Sequence, residues 1–237
     1  MSYAYLFGVC VLGVVWAIFF FLRKDLRKQQ VLISILSAPL APISQVLWFH
    51  HDYWRPPYAL FVEIQGVPVG IEELFFAFFI SGIGSVAYQV IFRKRIERGW
   101  QHSLVTIAIV GLTVVAFLIL KLFNFNTIWA STDALLLGTL MFVAMNRRLM
   151  PDALISVGLV LILTYPLYWA LFFIFPDAHS IFWVSGGLSG TDLLGAPLEE
   201  MTWFVAWAAF SGILYESWVN VQRYVSLDER PAASVLE

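Results

Sequence analysis

Two short segments hold the residues best suited to chemistry in this chain, PVGIEELFF at 68–76 and GAPLEEMTWF at 195–204. Each places two adjacent carboxylates, Glu72 and Glu73 in the first and Glu199 and Glu200 in the second, at the head of an apolar, aromatic run. A carboxylate in such a run is expensive to bury and marks a functional hypothesis. The plainer reading is that acids in the first turn of a helix are stabilised by its dipole, by about 0.3–1 kcal/mol. A single Glu fits that reading well; an adjacent pair that recurs in a second segment fits it less well. Neighbouring residues on a helix point about 100° apart, so neither pair can act as a bidentate clamp. Glu72 shares a face with Phe75 and Phe76, and Glu199 with Thr202 and Trp203. Glu73 faces Phe76 and Ala77, and Glu200 faces Trp203 and Phe204. A carboxyl group held against aromatic rings in a low dielectric favours its neutral form and is then able to donate a proton. Aromatic faces nearby can stabilise a carbocation. That combination suits acid-catalysed chemistry on an alkene better than it suits metal binding.

The elements that must position these acids are membrane helices. The chain has 237 residues, of which 60% are hydrophobic and only 13% charged. A soluble domain carries about 25% charged residues, so an integral membrane protein is expected. The net charge of −2 gives no reason to expect nucleic acid as a partner. The single Cys10 excludes an intramolecular disulfide framework and a Cys-based metal site. The first apolar run starts at once and ends in FLRKDLRK, so it reads as a retained first span rather than a cleaved signal. Seven stretches are long enough to cross a bilayer, near 3–22, 30–49, 71–92, 103–122, 128–146, 152–174 and 197–218. Pro39, Pro42 and Pro166 fall inside spans and predict kinks rather than breaks. Of the 14 Lys and Arg residues, all but Arg55 and Lys121 fall on one side of this arrangement. That bias predicts an external N-terminus and a cytoplasmic C-terminus in the cell membrane.

Sliding the chain against itself by 127 residues superposes Pro39 on Pro166, the Glu72–Glu73 pair on Glu199–Glu200, and Tyr88 on Tyr215. The fold class read from this is all-α and polytopic, with about seven transmembrane helices in two parallel three-helix repeats. The repeats occupy 1–98 and 126–223, a linking helix occupies 99–125, and 224–237 is expected to be a disordered cytoplasmic tail. Three spans plus one linker give both units the same orientation, which the charge bias requires independently. The two Glu pairs should then lie at similar depth near the outer face.

These segments resemble the PxEE-type signature of the small integral-membrane lycopene cyclases, which occur as two short subunits or as one fused chain. The resemblance covers most of the chain, with Glu72 and Glu73 opening the third helix of the first unit and Glu199 and Glu200 opening that of the second. The first copy departs from the pattern: Pro68 stands four residues before Glu72, whereas Pro197 stands two before Glu199. The second copy has Met201, Thr202 and Trp203 where an aliphatic-aromatic run is usual. The resemblance implies non-redox cyclisation of the ψ end groups of an acyclic carotenoid, with a β ring expected, in carotenoid biosynthesis. It implies Glu72, Glu73, Glu199 and Glu200 as the catalytic acids and bases. Phe75, Phe76 and Trp203 are the expected substrate-binding aromatics. No cofactor and no metal are implied, and no GxGxxG is present. The implied partners are a lycopene-like carotenoid within the bilayer and membrane lipid; a homo-oligomer is compatible with this.

Among other residues, Asp133 reads equally as a relay partner or a helix contact. His50, His51, Asp52 and His179 read as interfacial residues, and Glu216 reads as interfacial at the cytoplasmic end of the last span. Tyr165, Tyr168 and Trp169 either line a polyene channel or face lipid and neighbouring helices. A retinal protein needs a lysine in the last span, and none follows Lys121. Two rivals remain: a proton-coupled carrier with the Glu pairs as coupling sites, and a Glu-dependent CAAX-type intramembrane protease. EELFFAFF departs from the EExxxR motif of the protease at its Arg position.

Overall fold

A computed structural model describes residues 3–97, 104–184, 186–220 and 223–226. Seven long helices run through it: α1 (Ala4–Leu22), α2 (Lys24–Asp52), α3 (Ile71–Ile91), α4 (Leu104–Leu122), α5 (Thr127–Met145), α6 (Arg147–Ile174) and α7 (Leu198–Trp218). Their apolar composition follows from the bilayer, where every backbone polar group must be satisfied within the segment. The first six are apolar enough to cross a membrane on composition alone. Helix α7 is not, although it is 21 residues long. It contains Glu199, Glu200 and Glu216, all buried. Its polar groups are tolerated because they face other helices, not lipid.

Helices α3 and α7 are the axis of the bundle. α3 packs on α1 and α2, α7 packs on α5 and α6, and the two pack on each other. Small residues allow the approach: a Cβ added at Gly84 would sit 2.7 Å from Ser211 Oγ. Residues 127 apart meet repeatedly along this contact. Phe76 stacks on Trp203 with ring centroids 6.4 Å apart, Gly84 abuts Ser211, and the Gln89 amide donates to Glu216 Oε1. α4 lies outside, along α5 and part of α7.

Proline acts differently at its three positions. Pro166 is accommodated inside α6. Around Pro39 and Pro42, α2 is interrupted by a turn at 38–39 and then widens into a π-helical stretch at Gln45–Phe49. Such stretches mark functional sites more often than chance.

Two hairpins cover the end of the bundle from which α3 and α7 start. Strands β1 (Phe61–Ile64) and β2 (Val67–Gly70) precede α3. At the opposite end, β3 (Lys94–Glu97), which follows α3, pairs with the strand that follows α7. Strands β4 (Asp192–Leu193) and β5 (Ala196–Pro197) precede α7, and β6 (Arg223–Ser226) is the partner of β3. Both covering hairpins turn through two residues with positive φ, Gln65–Gly66 and Leu194–Gly195. Pro68 and Pro197 are each the second residue after that turn. The unequal spacing from proline to glutamate therefore has a simple cause: β2 is two residues longer than β5. Of the expected tail, 224–226 lie in β6 and 227–237 lie outside the described residues, as do Arg98 and Arg230.

Candidate active site

At the hairpin end of the bundle, a cavity of about 370 Å3 lies between α1, α2, α3, α4, α5, α6 and α7. It is lined almost wholly by apolar and aromatic side chains, and two carboxylates open onto it, Glu73 and Glu200. Their neighbours in sequence do not. Glu72 Oε1 accepts the Ala59 backbone N–H at 2.7 Å, and Glu199 Oε1 accepts the Ser189 backbone N–H. The 100° step between adjacent helical residues thus separates each pair. One member is turned to the loop that covers the site, the other to the cavity. All four are buried.

The two cavity carboxylates have matching hydrogen-bond shells. Glu73 Oε1 accepts from Tyr58 Oη at 2.8 Å and Trp54 Nε1 at 3.0 Å, while Oε2 accepts from Tyr5 Oη at 3.2 Å. Glu200 Oε1 accepts from Tyr53 Oη at 3.0 Å and Trp183 Nε1 at 3.0 Å, while Oε2 accepts from Tyr168 Oη at 3.2 Å. The backbones of Trp54 and Trp183 pair antiparallel where the two covering loops meet, and their rings touch at 5.4 Å. One loop junction therefore supplies an indole to each acid.

This shell fixes where a proton can sit. An indole N–H only donates, so Oε1 must be an acceptor whether the carboxyl is neutral or ionised. A phenol can donate or accept by rotating its hydroxyl. The proton of the neutral acid therefore belongs on Oε2, with Tyr5 or Tyr168 turned to receive it. Burial, followed by the Glu73 carboxyl, pushes the Tyr58 hydroxyl well above the ordinary phenol range. Burial and Glu200 do the same to Tyr53. Both phenols stay protonated and keep donating to Oε1. Tyr58 also accepts from Gln45 Nε2 at 3.0 Å, which polarises its O–H toward Glu73. Tyr53 has no corresponding amide donor among the described hydrogen bonds. The shell of Glu73 is thus better suited to the anion than that of Glu200.

Aromatic faces fill the space around the two acids. Phe76 and Trp203 are stacked on one another, and Trp203 is stacked on Trp207 at 5.4 Å. All three ring systems line the cavity or its wall, with Phe204 and Phe182 beside them. Phe75 lies elsewhere: it is on the outward face of α3, exposed and stacked on Phe79 at 5.7 Å. Asp133 is exposed on α5, and Trp169 is exposed on α6. Tyr165 is not on the cavity lining, whereas Tyr168 is on it and bonded to Glu200. Asp52 accepts from Lys121 Nζ at 2.7 Å and from Thr127, so it ties three helix ends together. Glu216 is fully buried near the C-terminal end of α7 rather than exposed there, with Gln29 Nε2 donating to it at 2.8 Å. Among the described residues, no three His, Cys, Asp or Glu side chains cluster as metal ligands would.

Residues 126–218, which contain Tyr168, Trp183, Glu199, Glu200 and Trp203, match the family described as Lycopene cyclase. The match supports the lycopene cyclase family for this segment of the chain. The cyclase domain supports a carotenoid cyclase function for the chain, in a membrane whose hydrocarbon core would hold such a substrate. Comparison with curated proteins and with solved structures gives no match. The family segment supplies only one of the two cavity acids. Glu73 and its shell come from the part of the chain before residue 126.

Gly70 tests how closely the shell is packed. Its φ of −83° needs no glycine, but a Cβ there would overlap the Tyr58 ring. The corresponding place before α7 is Pro197. Gly70→Ala should displace Tyr58 from Glu73 and destabilise the protein by about 1–3 kcal/mol, the usual cost of overpacking. Thermal unfolding in detergent checks this, with Ala59→Gly as a neighbouring control that keeps the Ala59 N–H donor to Glu72.

Proposed function

We propose that the chain is a non-redox lycopene cyclase, in which Glu200 is the general acid and Glu73 the general base. Glu200 Oε2 gives its proton to the terminal double bond of a ψ end group, and the electron pair of the next double bond closes a six-membered ring on the resulting cation. Glu73 then takes a proton from the carbon beside the cationic centre, restoring a double bond. The substrate gains and loses one proton, so no oxidant or reductant is needed. Phe76, Trp203 and Trp207 offer their faces to the intermediate cation, each worth about 0.5–2 kcal/mol in a desolvated site. Glu72 and Glu199 are positioning residues that hold the covering loops. The single observation that carries this reading is that Glu73 and Glu200, each with an indole-fixed Oε1, open onto one apolar, aromatic cavity.

The reading extends to the whole chain as a fused form of the two-subunit type. Residues 1–98 and 126–223 are then like units in parallel orientation joined through 99–125, with the N-terminus outside and the acids near the outer face of the cell membrane. The contacts between residues 127 apart support this. The apolar lining favours a hydrocarbon over the ions or peptides that a carrier or protease would require.

Expression in a lycopene-accumulating host tests the function. Cyclised pigment, with β rings expected, supports it, and unchanged lycopene at good membrane expression sinks it. Because both acids share one cavity, only one end group is handled at a time. A time course should therefore show monocyclic carotenoid in the free pool before any bicyclic product.

A further inference from the structure

Most of the cavity lining is buried, but α2 and α4 also contribute exposed side chains to it. Leu40 and Ile43 on α2, and Val114 and Leu118 on α4, line the cavity while remaining 41–53% exposed on the outer surface of the bundle. They are the only exposed large apolar residues on its lining among the described residues. Between the two helices the wall opens, because α4 packs chiefly along α5 and α7. Two contacts bound the gap toward the hairpin end: Trp48 edge-on to Phe117 at 4.9 Å, and beyond it the Lys121–Asp52 ion pair at 2.7 Å. Below Trp48 the α2 edge is the segment loosened by Pro39, Pro42 and the π turn, where side chains can shift without breaking a regular helix.

On the cyclase reading, we infer that this gap is a lateral window through which a linear polyene enters end-on from the bilayer. Leu40, Ser44, Val114 and Phe117 form its frame, and Trp48 is its lintel. A long carotenoid does not fit wholly within a cavity of about 370 Å3. One end reaches Glu73 and Glu200, while the rest of the rod lies in the window and the adjacent lipid. The window selects by cross-section: a linear methyl-branched polyene passes, and an end group bulkier than the open ψ form passes poorly.

The test uses the full chain in membrane vesicles with lycopene as the probe. Ser44→Phe and Val114→Phe narrow the window, and Ile107→Phe on the exposed face of α4, off the cavity, is the control. Binding is read by quenching of tryptophan fluorescence, and turnover by pigment analysis. Both narrowing variants should weaken lycopene binding and slow conversion at least about tenfold, the effect of roughly 1.4 kcal/mol of steric cost; the control should match wild type. Wild-type binding and conversion in both narrowing variants would overturn the window while leaving the cyclase reading intact. A wild-type chain that binds lycopene but does not cyclise it would sink the cyclase reading and leave the window to the binding arm. If a narrowing variant fails to insert, Trp48→Ala with Phe117→Ala opens the lintel and should speed lycopene association. An unchanged association rate there would overturn the window as well.

Discussion

Glu200→Gln should lower carotenoid cyclisation by at least about 100-fold, the lower end of what a positioned general acid contributes, and it should do so without loss of inserted protein. The amide keeps an acceptor oxygen for Tyr53 and Trp183, so the shell stays satisfied while the transferable proton is gone. Glu73→Gln should behave differently. Glu200 can still protonate the end group, but no base stands ready for the proton that must leave. The cation then partitions to other fates, so residual product should shift toward other ring isomers or water-captured, hydroxylated end groups. Pigment analysis by chromatography and mass, run in deuterated medium, separates the two: deuterium enters residual product with Glu73→Gln and lycopene stays unlabelled with Glu200→Gln. Glu72→Gln and Glu199→Gln retain an acceptor for the Ala59 and Ser189 N–H groups, and activity should fall less than about tenfold, the scale of one neutral hydrogen bond. Loss of activity as deep in Glu199→Gln as in Glu200→Gln would refute the division between loop-holding and cavity acids.

That division was not legible in the sequence, although the acids were. Four glutamates stood out because charge is rare in apolar runs, and the 127-residue offset linked them in pairs. A one-dimensional pattern gives the angle between adjacent side chains but not which direction is inward. The inward direction is set by α3 meeting α7, a contact between residues far apart in the chain. For the same reason Phe75 read as a site residue and lies on the outward face, while its neighbour Phe76 meets Trp203. The hydrogen-bond shell was hidden more deeply. Tyr53, Trp54, Tyr58 and Trp183 sit in loops, where aromatics in membrane proteins more commonly serve as interfacial anchors. The signal that could have found them is their polar tips: a buried Tyr or Trp needs a partner, and four such donors near few acceptors point at the carboxylates. Tyr5 gave no signal at all, since one tyrosine near the start of an apolar span has no pattern around it. The spans were legible throughout because bilayer thickness and backbone satisfaction leave little choice. Even α7, the least apolar, was found by its length and its copy of the motif.

Glu216 supplies the largest stability effect expected outside the site. It lies sixteen residues beyond Glu200, about 24 Å along α7, buried near the C-terminal end of that helix. Its Oε1 accepts from both Gln29 and Gln89, which reach it from α2 and α3. One carboxyl oxygen therefore joins three helices where neither lipid nor bulk water can replace it. In Glu216→Leu the carboxyl and its desolvation cost disappear, which alone would favour folding. The Gln89 amide is left in a dry interior, and the Gln29 amide keeps only the Ser85 carbonyl. Each orphaned group costs about 1–3 kcal/mol, so the loss should win and thermal stability in detergent should drop clearly. Glu216→Gln retains an acceptor oxygen and should fall between the two. The triple variant Gln29→Leu, Gln89→Leu, Glu216→Leu removes donors together with the acceptor, and it should be more stable than Glu216→Leu alone despite carrying two further substitutions. If instead Glu216→Leu is as stable as the unsubstituted chain, the three-helix junction is held by the small-residue packing of Gly84 against Ser211 and the polar cluster adds nothing.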